Sequence, residues 1–565
     1  MTRLIFRNII ILLGFIFFSC KEKEYQFSIE ESPKKNCADP VEAPLEKLED
    51  QAKQRGININ IPFYSERAEC NYIPGGVVAQ DLNNDGWVDL LFNKVDGSPW
   101  AFQNQRGQFQ ERELQLELFD ESRVNLGLAA VDLNGDSLPE IVQSGAGFAV
   151  YAENLGDFNF GEWQIILDEP EYPRTCYNSF NFGDFDQDND LDLALAGLDQ
   201  TQEEGQLIGF NFNDWYAGFD VLIERRDDSW IKIKELSSGG SLPSLSILQA
   251  FTDMDNDGDL DLISASDRPL EGVFPPMAFW INQGVVDGEL QLEDIAQDSG
   301  ANMMIGVMGL GVNDLNQDGF LDYCMTDVKE ILICYMSDGI GKYYDAGAAL
   351  GLIVNLEDHP RLPIWWQEQL TYTDTTWSGW SLVLEDLDND GYLDMASTAG
   401  APPDGGSVAH SAVDQFQPDW IWKGGANGFQ TFDPSHSFYS SDPHYGMASA
   451  DLDHDGYREL IVGPAYGRPF IFNNPCGNGN WLEIDLIGKG NNQEAFGAKV
   501  VIEREGFVDQ QEVFNLLSMG QGPSELHFGL GALESVDSVT VHWVDGTKTV
   551  QVNVATNQFL EIRQE

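Results

Sequence analysis

Asp81, Asn83, Asp85 and Asp89 occupy positions one, three, five and nine of a nine-residue segment whose sixth residue is Gly86. Oxygen donors at alternate positions of a tight turn, a glycine at the bend and a closing acid suit a hard cation. Calcium takes roughly six to eight oxygens in a flexible shell, and glycine relieves the strain of the bend. The pattern recurs as Asp132, Asn134, Asp136 and Glu140, then as Asp184, Asp186, Asp188 and Asp192. The fourth copy has Asp253, Asp255, Asp257 and Asp261, and the fifth has Asp314, Asn316, Asp318 and Asp322. Asp386, Asp388, Asp390 and Asp394 form the sixth, and Asp451, Asp453, Asp455 and Glu459 the seventh. A single Asp-Gly turn needs no metal, because such turns close hairpins by themselves. Seven copies in one register, holding 27 acids, would be strongly repulsive without counter-ions. Up to seven calcium ions are therefore expected. The second copy is expected to be the weakest, because Ser137 replaces the glycine and Pro139 precedes Glu140. Asn189 at the bend of the third is compatible, since Asn tolerates the left-handed conformation.

The flanks define the elements that must hold these turns. Gly76-Val77-Val78-Ala79 precedes the first copy and Leu90-Leu91-Phe92 follows it; Leu460-Ile461-Val462 follows the seventh. Short apolar runs bounded by turns are strands, so each copy joins two strands rather than two helices. The copies start 51 to 72 residues apart, with several strands in each period. That spacing predicts an all-β, seven-bladed β-propeller. Turns such as Asn154-Leu155-Gly156-Asp157-Phe158 would close the outer hairpins. Only two strand-like runs follow the seventh copy, so the run from Ile57 to Phe63 is expected to complete blade seven. The propeller is assigned to residues 51–476, and strand alternation makes 477–565 a small β domain.

Lys and Arg number 31 against 93 Asp and Glu, a net charge of −62 over 565 residues. So acidic a chain is unsuited to nucleic acid, whose phosphates need a basic surface. Charge would not attract it to an anionic membrane either. Arg3 and Arg7, the apolar run Ile9 to Phe18 and Ser19-Cys20 make a secretory signal. It resembles a bacterial lipoprotein signal, with Cys20 as the lipidated residue, residues 1–20 as the signal and 21–50 as a tether. Plain secretion is the alternative. The expected place is the bacterial cell envelope, at the outer membrane, with the lipid as the only membrane contact. Six further cysteines remain, an even number in an exported chain. Cys324 and Cys334 flank a short turn, which suits a cross-strand disulfide; two buried free thiols are the alternative.

Two long insertions carry aromatic residues: Trp365, Trp366 and Trp377 in 353–380, and Trp420 in 401–422. They read either as packing beneath long loops or as a surface for sugar or protein. No zinc-type His spacing, Gly-x-Ser-x-Gly elbow or phosphate loop is present.

These nine-residue copies resemble the FG-GAP/VCBS repeat family, the calcium-loop blades also seen in integrin α-chain propellers. Trp481-Leu482-Glu483-Ile484, Phe496-Gly497-Ala498-Lys499-Val500, His527-Phe528-Gly529-Leu530-Gly531 and Val541-His542-Trp543 resemble the ASPIC/UnbV domain. The combination is similar to the cartilage acidic protein family and its bacterial relatives. That resemblance implies calcium binding and adhesion, and no defined reaction. The function expected is therefore a calcium-binding, envelope-anchored module that recognises a protein or glycan partner. A carbohydrate-active enzyme on a propeller scaffold and a structural subunit of an envelope complex are the alternatives.

Overall fold

The computed structural model describes residues 40–62, 76–171, 175–199, 219–226, 229–236, 246–266, 277–286, 289–302, 305–327, 332–352, 379–400, 419–432, 438, 443–504, 506–514 and 519–565. Apart from a 3-10 turn at Pro44–Lys47 and one helical turn at Ala296–Ser299, the described elements are strands. The signal, Cys20, and Trp365, Trp366 and Trp377 lie outside the described residues.

Blade one is an antiparallel meander of Val77–Gln80, Asp89–Phe92, Trp100–Asn104 and Phe109–Arg112. The same four-stranded meander follows from Asn125–Val131 to Phe160–Asp168, from Thr175–Gly183 to Ser229–Leu236 and from Ser246–Thr252 to Glu289–Asp294. It continues from Val307–Asn313 to Tyr343–Asp345 and from Gly379–Glu385 to Gln430–Thr431. Blade seven contributes His444–Ala450, Glu459–Pro464 and Phe470–Asn473. First strands of successive blades touch in order, and His444–Ala450 touches Val77–Gln80, so the sheets close a ring.

First strands have neighbours on both faces and are buried along nearly their whole length, whereas outer strands such as Glu289–Asp294 face solvent. Small residues allow the inner strands to converge. A Cβ on Gly309 would lie 2.0 Å from the Trp380 carbonyl oxygen of the next blade. Because every meander begins at its innermost strand, the turn between strands one and two of each blade emerges at the same end of the ring. All seven acidic turns are that turn.

Blade seven is completed by Glu49–Asp50, which pairs with Asn473 and Phe472. This corrects the expectation for Ile57 to Phe63. Pro62 has no N–H to donate to a ladder, and Ile61 makes only an isolated bridge to Gly467. Ile57 and Ile61 are instead buried beside Phe109 and Ile471, between blades one and seven. Asp50 fixes the true strand by accepting the N–H of Ile471 at 3.3 Å and that of Ala52 at 3.1 Å. Residues 41–48, assigned to the tether, pack on the ring instead: Leu45 and Leu48 are buried, and the Val41 N–H donates to the Cys476 carbonyl.

The C-terminal region forms two facing sheets. One holds Asn480–Ile487 between Leu526–Gly531 and Gln558–Arg563. The other runs Phe507–Glu512, Lys499–Arg504, Ser535–His542 and Lys548–Ala555. Ile484, Val500, Phe528, Val541 and Ile562 fill the core between them. A segment of this domain enters the ring. Gly520 and Gln521 pair in parallel with Val77 and Val78, and the Gln521 amide binds both the N–H and the carbonyl of Ala130 in blade two. A Cβ on Gly520 would sit 1.7 Å from the Met447 oxygen of blade seven.

Candidate metal centres

Each acidic turn is organised by its first carboxylate. Asp81 accepts the N–H groups of Asn83, Asp85 and Gly86 at 3.2, 3.2 and 2.6 Å. The bend uses left-handed residues at positions four and six. Asn84 has φ 54° and Gly86 φ 81°; in the second turn Gly135 and Ser137 have φ 77° and 68°. Ser137 therefore adopts the required bend, at the cost that a Cβ brings to this conformation.

The ninth residue also braces the sheet, which the sequence did not disclose. One Asp89 oxygen accepts the Leu82 N–H of the same turn at 3.1 Å, and the other accepts the Asn104 N–H of the third strand at 2.7 Å. Asp261 does the same for Met254 and Asn282, both at 2.8 Å, and Asp394 for Leu387 at 3.0 Å and Gly424 at 2.8 Å. An asparagine at the end of the third strand ties neighbouring turns together. Asn104 Nδ2 donates to the Val88 carbonyl of its own turn and to the Leu452 carbonyl of the turn before, both at 2.9 Å. Asn154, Asn282 and Asn474 repeat this pair of bonds.

The ligand atoms converge as the spacing requires. In three turns the carboxylates at positions one, three and nine have oxygens within 4.8 Å of one another: Asp184, Asp186 and Asp192; Asp253, Asp255 and Asp261; Asp386, Asp388 and Asp394. In the seventh the cluster is Asp451, Asp453 and Asp455. Glu459 is drawn aside by Arg55, 2.6 Å away. Asp188, Asp257 and Asp390 stand outside the tight clusters, each accepting the N–H of its own seventh residue at 3.0 to 3.1 Å. The first, second and fifth turns have Asn83, Asn134 and Asn316 at position three, where an amide oxygen replaces a carboxylate. Their other donors, Asp81, Asp85 and Asp89, Asp132, Asp136 and Glu140, and Asp314, Asp318 and Asp322, keep the common backbone bonds.

Burial makes these charges costly. It pushes Asp89 and Glu140 up to about 8 and Asp261 up to about 9, with the neighbouring acids adding to the rise. Burial likewise raises Asp184 to about 7, Asp314 to about 8 and Asp322 to about 7, and lifts Asp192, Asp386, Asp394 and Asp451 well above the carboxylate range. Asp186 Oδ1 and Asp388 Oδ1 are buried with no hydrogen-bond partner. Convergent hard oxygens, charge out of water and unpartnered carboxylate atoms fit a divalent cation. Three turns also meet a cation of the protein itself. Lys423 reaches Asp388 and Asp390, Arg55 reaches Glu459 and Asp453, and Lys499 lies 2.8 Å from Asp253.

Residues 81–143 match the family model of the FG-GAP-like repeat, and residues 488–565 match that of ASPIC and UnbV. The first match spans the first two acidic turns, and the second spans most of the C-terminal region, called the ASPIC/UnbV domain below. No curated protein matches it in sequence. Among solved structures it is similar to an Agrocybe aegerita lectin described as recognising non-reducing terminal N-acetylglucosamine, at 15% identity and a TM-score of 0.38, covering 71% of this chain and 94% of that one. It is also similar to BBS1N in complex with ARL6DN, at 10% identity and a TM-score of 0.41, covering 74% and 96%.

The ASPIC/UnbV domain lies against the acidic turns. Lys499 Nζ is 2.5 Å from Asn256 Oδ1, Asn491 N–H donates to the Asn189 carbonyl, and Phe559 packs on His454. Glu483 is buried between Arg458 and His527. Its burial alone would raise it, but the Arg458 guanidinium and the hydrogen bond to the His527 ring hold it down at about 2.

Of the two readings open for Trp420, packing and a ligand surface, the structure favours packing, because Trp420 is a core residue. It lies on the third strand of blade six, fully buried and stacked with Trp422 at 6.0 Å. Both pack against Cys324 and Cys334, which form a disulfide. Cys176 and Cys476 each also take part in a disulfide.

Proposed function

We propose that this protein is a calcium-loaded binding propeller, exported and held at the bacterial envelope through lipidated Cys20, and that it recognises a protein or glycan. The observation that carries the calcium reading is the convergence of largely buried carboxylates in four turns, with oxygens within 4.8 Å. Positions one, three and nine supply the clustered oxygens in three of them, and the net charge of −62 supplies the need. Calcium would supply charge neutralisation and rigidity, and no covalent chemistry.

Occupation of the turn end by the ASPIC/UnbV domain leaves the opposite end of the ring for a partner. There the second-to-third-strand and blade-to-blade connections leave the sheets, because an antiparallel meander reverses at each turn. Ala399 and Trp420, which bracket residues 401–418, are strand ends on that side. The binding reading also gains from the ring axis, a place where propellers can host catalysis: here Gly520 and Gln521 of the C-terminal domain pair with the first strand of blade one.

A glycan array run beside affinity capture from envelope extract, each with calcium and with chelator, tests the reading. Calcium-dependent retention of a glycan or one defined protein supports it. Turnover of a polysaccharide would overturn it in favour of an enzyme.

A further inference from the structure

Position four of each turn carries no ligand. In four of the turns its side chain reaches sideways to the next turn. Gln187 Nε2 donates to the Gly258 carbonyl at 3.0 Å, Gln317 Nε2 to the Gly391 carbonyl at 2.9 Å, and Asn389 Nδ2 to the Gly456 carbonyl at 2.7 Å. The His454 ring bonds to the Gly86 carbonyl and stacks on Trp87 with centroids 3.8 Å apart. The donor is always the fourth residue of one turn and the acceptor the sixth residue of the following one. The links run from turn three to four, five to six, six to seven, and seven to one.

The sixth residue that receives the bond at its carbonyl is also held through its own N–H. In all seven turns the sixth-position N–H donates to that turn's first carboxylate, at 2.6 to 3.1 Å. A continuous path therefore leads from the third and fifth residues of one turn, through the residue between them, to the first donor of the next. The path breaks where the side chain is missing or engaged. Gly135, fourth in the second turn, has no donor to offer, and the Asn189 carbonyl in turn three is met instead by the Asn491 N–H of the ASPIC/UnbV domain, at 2.9 Å. Asn256 is turned toward Lys499.

We infer that the cation sites are coupled in series around the ring: turns five, six, seven and one through Gln317, Asn389 and His454, and turns three and four through Gln187. The inference rests on reading the turns as cation sites. A cation that fixes positions three and five fixes the residue between them, and so places the donor that orders the neighbouring sixth residue. The neighbour then binds its cation with part of its ordering already complete, which is positive coupling without any shared ligand.

Calorimetric calcium titration of the full chain, stripped with chelator and dialysed, tests this. The wild type should bind with a Hill coefficient above unity. Gln317→Ala should lower that coefficient and weaken part of the sites by roughly fivefold or more, although Gln317 touches no cation. Gln187→Ala, at an exposed position whose loss spares the core, should affect a different and smaller subset. Asp386→Asn, which disables the sixth site, should also weaken the seventh. Calcium binding with a Hill coefficient of unity, or isotherms of both glutamine variants that overlay the wild type, would overturn the coupling and leave the cation reading standing. No calcium binding at all would overturn both.

Discussion

His527 of the ASPIC/UnbV domain stands 2.7 Å from Asn389, Nε2 to Oδ1, across a sequence separation of 138 residues. Its other ring nitrogen is 2.7 Å from Glu483. Asn389 is the fourth residue of the sixth acidic turn, so one histidine ties the C-terminal domain to the acidic-turn end of the propeller. Replacing it strands a buried amide oxygen and removes one of the two partners of a buried carboxylate. His527→Ala should therefore lower stability by about 3 kcal/mol in denaturant titration. A change below about 0.5 kcal/mol would show that the docking does not depend on it.

Glu483 makes this junction acid-sensitive. Its value is about 2 in the fold and about 4.3 when unfolded. A depressed carboxylate contributes stability above its unfolded value, and that contribution is lost as pH falls toward its folded value. Stability should drop between about pH 4 and 2, by roughly 3 kcal/mol from this group. Glu483→Gln should be less stable at neutral pH and flatter across that window. Parallel curves for the two proteins would contradict the assignment.

Asp257 and Asp261 separate metal binding from bracing. Asp261 holds two buried backbone N–H groups, so Asp261→Ala should cost about 2–4 kcal/mol with or without calcium. Asp257 is partly exposed and bonds within its own turn. Asp257→Ala should lower the melting temperature in calcium and change little in chelator. Equal losses in both conditions for both variants would deny turn four a cation.

Lys423 competes for the sixth turn. Its ammonium bonds Asp388 and Asp390, two of the four expected ligands. Lys423→Met should raise calcium affinity in calorimetry by a few-fold, reduced by solvent screening of a partly exposed group. Weaker binding in the variant would mean that the lysine orders the turn rather than opposing its cation.

Much of the ring was legible because its information is local. Asp-x-Asx-x-Asp-Gly turns between short apolar runs specify a strand, a bend and a strand within about fifteen residues, and repetition supplied the register. The need for an N-terminal strand in blade seven was also readable. The segment that fills it was not: Ile57, Ile59 and Ile61 alternate like a strand, but Asp50 has the carboxylate that caps the edge. Trp420 could not be assigned between packing and ligand surface because a strand of four residues is hard to tell from the insertion preceding it. The roles of position four and position nine stayed hidden, since both depend on a neighbouring turn or a third strand that composition does not specify. Docking of Lys499 on Asp253 and of Gln521 on Ala130 joins residues 246 and 391 apart, a distance at which one sequence carries no pairing signal.

Calcium occupancy of the acidic turns can be measured on the protein itself. Elemental analysis of the purified full chain after dialysis, paired with thermal unfolding in calcium and in chelator, tests it most directly. Several bound calcium ions per chain, up to seven, are expected, with a melting temperature that falls markedly when they are removed. Metal-free protein with the same melting temperature in both buffers would contradict it.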